Sequence, residues 1–200
     1  MRRVFSQFIF WTILCGLVYP FLIYGIGKLS FAKESQGSLI LRKGKVVGSE
    51  LLSQKFESPK FFQARPSAGG YNPETGSASN LGFTSETLRK QVDERKNYWL
   101  SRGGEAEVPA ELVFASGSGL DPHLSPAAVE YQLPLVAKAR GFSDEQIKHL
   151  KLLVKDSTEY PQWGIFGEER INVLKLNLSL ENNVETSALS TAEPSTYRSY

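Results

Sequence analysis

From residue 4 to residue 27 the chain carries no charge, and Arg2 and Arg3 stand immediately before that run. At about 1.5 Å per residue, a helix over these positions reaches roughly 36 Å, enough to cross a hydrocarbon core of about 30 Å with some tilt. Ser30-Phe31-Ala32 has the small-x-small form of a secretory cleavage site. The apolar stretch of a signal is only about 7–15 residues, however, so the run reads as a retained anchor. Arg2, Arg3 and the terminal amine predict a cytoplasmic N-terminus and a domain on the other side; Lys28 and Lys33 weaken that asymmetry without reversing it.

The anchor also has a face. Thr12, Gly16 and Pro20 recur every four residues with Cys15 beside them, a stripe of small side chains that lets a partner helix approach in lipid. Pro20 is expected to kink the helix, because its ring clashes with the preceding turn. Cys15 is the only cysteine, which excludes an intrachain disulfide and a zinc site built of cysteines. A lipoprotein reading of Cys15 fails on Leu14, which is bulky where a small residue belongs.

Charge excludes one class of partner. The 23 basic and 21 acidic residues give a net charge of +2, and residues 1–33 hold four of the basic ones and no acid. The rest is slightly acidic with mixed signs, so it lacks the concentrated basic face that nucleic acid requires.

Beyond the anchor the pattern is that of an α+β chain: one N-terminal transmembrane helix, about 5–27, then a single mixed α/β soluble domain with a small antiparallel or mixed sheet. The expected divisions are 1–33 as membrane anchor, 34–181 as soluble domain and 182–200 as a disordered tail, where Ser, Thr, Glu and Asn replace large apolar residues. Residues 38–47 read as a hairpin around Arg42-Lys43-Gly44-Lys45, and 111–115 as an extended segment. In 171–180, Leu174, Leu176, Leu178 and Leu180 alternate with Lys175, Asn177 and Ser179, the period of a half-buried strand.

Three helices are expected between these. Thr84 or Ser85 caps one whose Leu88, Val92 and Trp99 share a face and which ends at Gly103-Gly104. Ser125-Pro126 starts a second, expected to bend or break near Pro134 and to end before Gly141. Ser143-Asp144-Glu145-Gln146 is a capping box opening a third, with Ile147, Leu150 and Val154 as its apolar stripe. The stretch 65–84 is rich in Gly, Ser, Asn and Pro without periodicity, a length of loop that is functional or disordered; Tyr71 and Phe83 argue for order.

The densest polar cluster is Ser116-Gly117-Ser118-Gly119-Leu120-Asp121-Pro122-His123, placed where backbone N–H groups can cradle an anion. It lacks the Gly-Lys-Ser/Thr of a phosphate loop and the flanking glycines of a nucleophile elbow. Ser118, Asp121 and His123 are the residue types of a hydrolase triad, but triads are assembled from separate elements, which favours a tight structural loop or an interaction loop. His123 and His149 do not make a metal site between them, and Gly25-Ile26-Gly27-Lys28 at the membrane boundary reads as a snorkelling lysine.

Ordered blocks over most of the chain carry a family resemblance. They are Cys15-Gly16-Leu17-Val18-Tyr19-Pro20, Gly37-Ser38-Leu39-Ile40 with Gly48-Ser49, Phe62-Gln63-Ala64-Arg65-Pro66-Ser67-Ala68, and Ser79-Asn80-Leu81-Gly82. Ala115 through Ala128 follows, and then Gly167-Glu168 with Arg170, Asn172-Val173-Leu174 and Leu176-Asn177. In these the chain resembles the C chain of the bacterial potassium-transporting P-type ATPase, the Kdp system. Trp163 departs from the pattern, standing where a shorter aliphatic residue is expected, and the tail beyond Asn182 lies outside it.

The resemblance implies a non-catalytic accessory subunit in the bacterial inner membrane. Its implied partners are a subunit carrying the potassium pathway, an ATP-hydrolysing subunit that works through an aspartyl phosphate, and membrane lipid. The family's C chain is described as a catalytic chaperone raising the ATP affinity of the hydrolysing subunit, so ATP is a possible ligand only within the complex, and no group is bound covalently. A domain outside the cytoplasm could not reach cytoplasmic ATP, and stabilising or gating the outer mouth of the pore subunit fits that topology better. The expected contact residues are Arg65, Pro66, Ser67, Asn80, Ser116, Gly117, Ser118, Gly119, Asp121 and His123, with Thr12, Gly16 and Pro20 in membrane packing. The rival readings are a membrane-tethered extracytoplasmic hydrolase using Ser118 and His123, and a tethered ligand-binding domain.

Overall fold

The computed structural model describes residues 1–191 of the chain. They fall into two compact units, one spanning Met1–Ser49 and the other beginning at Glu50.

In the first unit, α1 (Arg2–Ile13), a π-helical turn (Leu14–Val18) and α2 (Tyr19–Ser30) form one continuous helix. Among the described residues it is the one helix long and apolar enough to cross a membrane. The π turn has a local cause. Pro20 has no N–H, and its ring opposes the carbonyl four residues back, on Gly16; the widened turn contains that carbonyl, so the helix continues through the proline. Thr12 turns its hydroxyl onto the Phe8 carbonyl at 2.8 Å, satisfying it within its own helix. The short α3 (Ala32–Ser35) leads to the expected hairpin of β1 (Leu39–Arg42) and β2 (Lys45–Ser49). Lys43 and Gly44 at its tip have φ of 51° and 76°, the left-handed pair of a two-residue turn that matches strand twist.

The second unit has no helix or strand before α4 (Glu86–Ser101), capped by the Ser85 hydroxyl as expected. Then come α5 (Ala110–Val113), β3 (His123–Leu124), α6 (Pro126–Arg140), α7 (Asp144–Asp156), β4 (Thr158–Glu159), β5 (Arg170–Asn172) and α8 (Val173–Thr191). The strands pair in the order β3-β5-β4, all antiparallel. Ser125 caps α6, and Ser143 with Gln146 forms the full capping box of α7. Helix α7 packs against both α6 and α8. Ala128, Val129, Leu133 and Val136 of α6 meet Leu150 and Val154 of α7, Ile171 of β5, and Val173, Leu176 and Leu180 of α8 in one core.

Several expectations are corrected. Residues 173–180 are helix, not strand: the buried positions Val173, Leu176, Asn177 and Leu180 follow helical spacing, and the Asn172 side chain caps the start by accepting the Lys175 N–H at 3.1 Å. Residues 110–113 form a helical turn after Pro109 that buries Leu112 and Val113. Helix α6 does not break at Pro134, because the proline and Glu130, whose carbonyl loses its donor, both lie on the exposed side. Phe83 is almost wholly exposed and orders nothing. Helix α8 continues to Thr191, into the stretch expected to be a disordered tail; 192–200 lie outside the described residues.

Candidate functional site

The segment Phe62-Gln63-Ala64 has no regular secondary structure and no strand beside it. Its hydrogen bonds go instead to two buried side-chain amides on neighbouring helices. Phe62 N–H donates to Asn177 Oδ1 at 2.9 Å, and Asn177 Nδ2 donates back to the Phe62 carbonyl at 2.8 Å. On the next residue, Gln63 N–H donates to Gln132 Oε1 at 2.8 Å while Gln132 Nε2 donates to the Gln63 carbonyl at 3.0 Å. Each amide thus replaces the two-bond contact of a strand neighbour. Neither Gln132 nor Asn177 was among the expected site residues; the signal for Gln132 is an amide inside an otherwise apolar helix face, and for Asn177 its place in the family block Leu176-Asn177.

This clamp delivers Arg65, Pro66 and Ser67 to the 116–123 loop. Ser116 N–H donates to the Pro66 carbonyl at 3.2 Å, and Arg65 Nη1 donates to Asp121 Oδ2 at 3.1 Å. The Tyr71 hydroxyl donates to the Arg65 carbonyl at 2.9 Å, and burial pushes that phenol up, keeping it a donor. Tyr71 N–H donates to Ser67 Oγ at 2.9 Å. Gly119, at φ +69°, lies so close to the other loop that an added Cβ would sit 2.7 Å from the Ser77 carbonyl oxygen and 3.1 Å from Ser67 Oγ. Two aperiodic loops are therefore locked face to face, which is why the long stretch is ordered.

Nine of the ten expected contact residues come together here: Arg65, Pro66, Ser67, Ser116, Gly117, Ser118, Gly119, Asp121 and His123. Asn80 does not join them by a hydrogen bond; it is exposed with φ 52°, a conformation asparagine tolerates. Ser118 Oγ accepts the Leu120 N–H at 3.1 Å, and no hydrogen bond joins it to His123 among the described residues. Asp121 Oδ1 accepts the His123 N–H at 3.0 Å and lies 3.5 Å from His123 Nδ1. Oγ of Ser53 and Nε of Arg65 are buried without a protein partner, so Arg65 keeps donor capacity. A shallow cavity of about 450 Å³ opens beside Leu52, Ser116, Ser118 and Asp121.

The Asp121 carboxyl is held below the ordinary carboxylate range, first by the His123 imidazole and then by the His123 N–H and the Arg65 guanidinium, against the opposing effect of burial. Its ionised form therefore stabilises the fold above the unfolded value of about 3.9, and that contribution disappears as pH falls through the lower folded value. The thermal midpoint of the wild type is expected to drop as pH falls below about 4, and Asp121→Asn to flatten that limb. An identical acid limb in the variant would contradict the assignment.

A larger cavity lies elsewhere. It is a groove of about 860 Å³ between α6 and α7, floored by Leu133, Pro134, Phe142 and Ile147, and it contains none of the expected residues. No group of three or more metal-ligating side chains occurs among the described residues. In the apolar helix, Thr12, Gly16 and Pro20 lie at or beside the π turn, and a Cβ added at Gly16 meets open space.

Comparison with known proteins covers nearly all of this. The family model for the K+-transporting ATPase, c chain, matches residues 1–182. The potassium-transporting ATPase KdpC subunit of Janthinobacterium sp. (strain Marseille) is 46% identical over 176 residues, covering 85% of this chain and 91% of the relative. Its counterpart in Geobacter sulfurreducens is 46% identical over 185 residues, covering 90% and 96%. That of Caldanaerobacter subterraneus subsp. tengcongensis is 41% identical over 191 residues, covering 92% and 96%.

Proposed function

The chain belongs to the KdpC family, the c chain of the K+-transporting ATPase, and from that premise we propose that it is a non-catalytic accessory subunit working from the extracytoplasmic side. Its helix packs among the helices of the potassium-pathway and ATP-hydrolysing subunits through Thr12, Gly16 and Pro20. The locked loop pair of 65–77 and 116–123 is the surface it presents to a partner.

The observation that carries this reading is how the polar groups of the loop pair are used. Ser118, Asp121 and Ser67 take N–H groups of their own loops, and Arg65 pairs with Asp121. Groups committed to holding loop shape suit a preformed contact surface, in which little ordering remains to oppose association. A hydrolase would need Ser118 against a base, and Ser118 is turned to a backbone amide instead. A domain outside the cytoplasm acts on ATP hydrolysis only through the subunits it contacts, so ATP itself is not its ligand.

Sidedness tests this first. In a chain with Cys15→Ser and Ser118→Cys, expressed without its partner subunits so that the loop surface is uncovered, the exposed thiol is expected to react with a membrane-impermeant maleimide before the cytoplasm is opened. Reaction only after opening would overturn the extracytoplasmic placement. Gly16→Leu tests the membrane contact. The space around Gly16 is open within this chain, so the larger side chain disturbs a neighbouring helix and not its own fold. Co-purification of the partner subunits is expected to fall several-fold, and unchanged recovery would refute a packing role for the stripe.

A further inference from the structure

Between β4 and β5 the chain makes a tight loop, Tyr160-Pro161-Gln162-Trp163-Gly164-Ile165-Phe166, for which the subunit role above has no use. Its large apolar side chains point outward: Trp163 is 88% exposed, Ile165 76%, Tyr160 62% and Phe166 60%. The loop is nonetheless well defined. Gln162 bridges to Phe166, Trp163 and Gly164 turn the tip at φ 55° and 74°, and the Trp163 and Phe166 rings meet edge to face at 5.9 Å. A rigid cluster of exposed aromatic and aliphatic groups marks a contact surface.

We propose that this loop dips into the headgroup boundary of a lipid bilayer, giving the chain a second membrane contact besides its apolar helix. Backbone chemistry favours lipid over protein. The amides of Gln162, Gly164, Ile165 and Phe166 all donate within the loop, to the carbonyls of Phe166, Pro161, Gln162 and Gln162 at 2.8–3.2 Å, and Pro161 has no amide to satisfy. Trp163 alone among residues 161–166 keeps its amide free. A turn that satisfies four of its five amides internally leaves few donors for water to serve, which lowers the cost of entering an apolar boundary. The side chains agree, since Trp and Tyr favour the interface and Ile and Phe lie deeper. A narrow tip also needs no shape-matched cavity in a fluid surface. Glu168 and Glu169 follow at once, exposed, and limit the depth by staying in water. Tyr160 lines the α6–α7 groove together with Glu130, Glu169, Lys138, Lys151 and Lys155, and the three lysines are cations of the kind that lipid phosphates attract.

The test uses the full chain with Trp11→Phe, reconstituted in phosphatidylcholine vesicles whose acyl chains are brominated. Trp99 is in the core and shielded, so the emission lost on adding Trp163→Phe isolates Trp163. That component is expected to be blue-shifted and to lose at least about half its intensity relative to unbrominated vesicles, since interfacial groups reach roughly 5–10 Å into the headgroup and acyl boundary. Both leaflets carry the quencher, so the result is independent of which side the domain occupies. Emission at the wavelength of water-exposed tryptophan, unaffected by bromine, would overturn the proposal. So would a shift that arises only when the partner subunits are present and is still insensitive to bromine, which would assign the loop to a protein.

Discussion

Asn177→Leu is expected to destabilise the second unit by about 3 kcal/mol or more, although leucine is close in size and the site is 2% exposed. Hydrophobic transfer favours the change, and helix propensity also prefers leucine to asparagine. Both gains are outweighed at the other end of the contact. Removing the amide leaves the Phe62 N–H and carbonyl facing a methyl group, and each unsatisfied buried group costs about 1–3 kcal/mol. Phe62 is itself fully buried, so water cannot take the amide's place. At about 2–4 °C per kcal/mol for a chain of this size, the thermal midpoint should fall by roughly 6–12 °C. Ser179→Ala, on the same helix and outside the clamp, should stay within about 0.5 kcal/mol. Equal midpoints for the two variants would remove the clamp from the account of how residues 65–67 are positioned.

The same residue explains where the sequence was misread. Asn177 takes a water-facing place in the alternation with the leucines of 174–180, and Asn172 lies at the start of the same stretch. Both are buried. Asn177 hydrogen-bonds a segment 115 residues away, and Asn172 caps α8 while donating to the Glu50 carbonyl at 2.8 Å. A polar side chain in a core is invisible to periodicity, because its partner is fixed only once the fold exists. Local signals fared better. Ser85, Ser125 and Ser143 cap helices and Lys43-Gly44 turns a hairpin, since each acts on residues within four positions of itself. For the candidate site, the two halves were legible as family blocks, but their meeting was not. Residues 65 and 121 are far apart in sequence, and they meet through contacts fixed only in the fold, the side-chain amides of α6 and α8 and the Ser116–Pro66 bond among them.

Gly119→Ala is the other substitution with a large expected effect, and Ser116-Gly117-Ser118-Gly119 offers its own control. Nothing in that tetrapeptide distinguishes its glycines by sequence. Gly117 is exposed, has no positive φ, and a Cβ there meets open space, so Gly117→Ala should change stability by less than about 0.5 kcal/mol. Gly119 is buried at φ +69°, and a Cβ would stand 2.7 Å from the Ser77 carbonyl oxygen. A left-handed conformation costs an L-residue about 1–2 kcal/mol, and forcing an atom into packed surroundings costs about 1–3 more. The obstacle is backbone, so no rotamer change relieves it; the 67–77 loop must move away. A loss of about 2–5 kcal/mol is expected in urea unfolding of the full chain in detergent. Separation of the loops also exposes the bonds from Tyr71 to Ser67 and Arg65, so proteolysis should nick residues 68–82 in this variant before the rest of the domain. The apolar helix is untouched by the substitution. Membrane insertion should therefore persist while partner recovery falls, which separates the loop pair's contribution to assembly from that of Gly16. If Gly119→Ala assembles as well as Gly117→Ala does, the loop pair is not the surface that the partner subunits read.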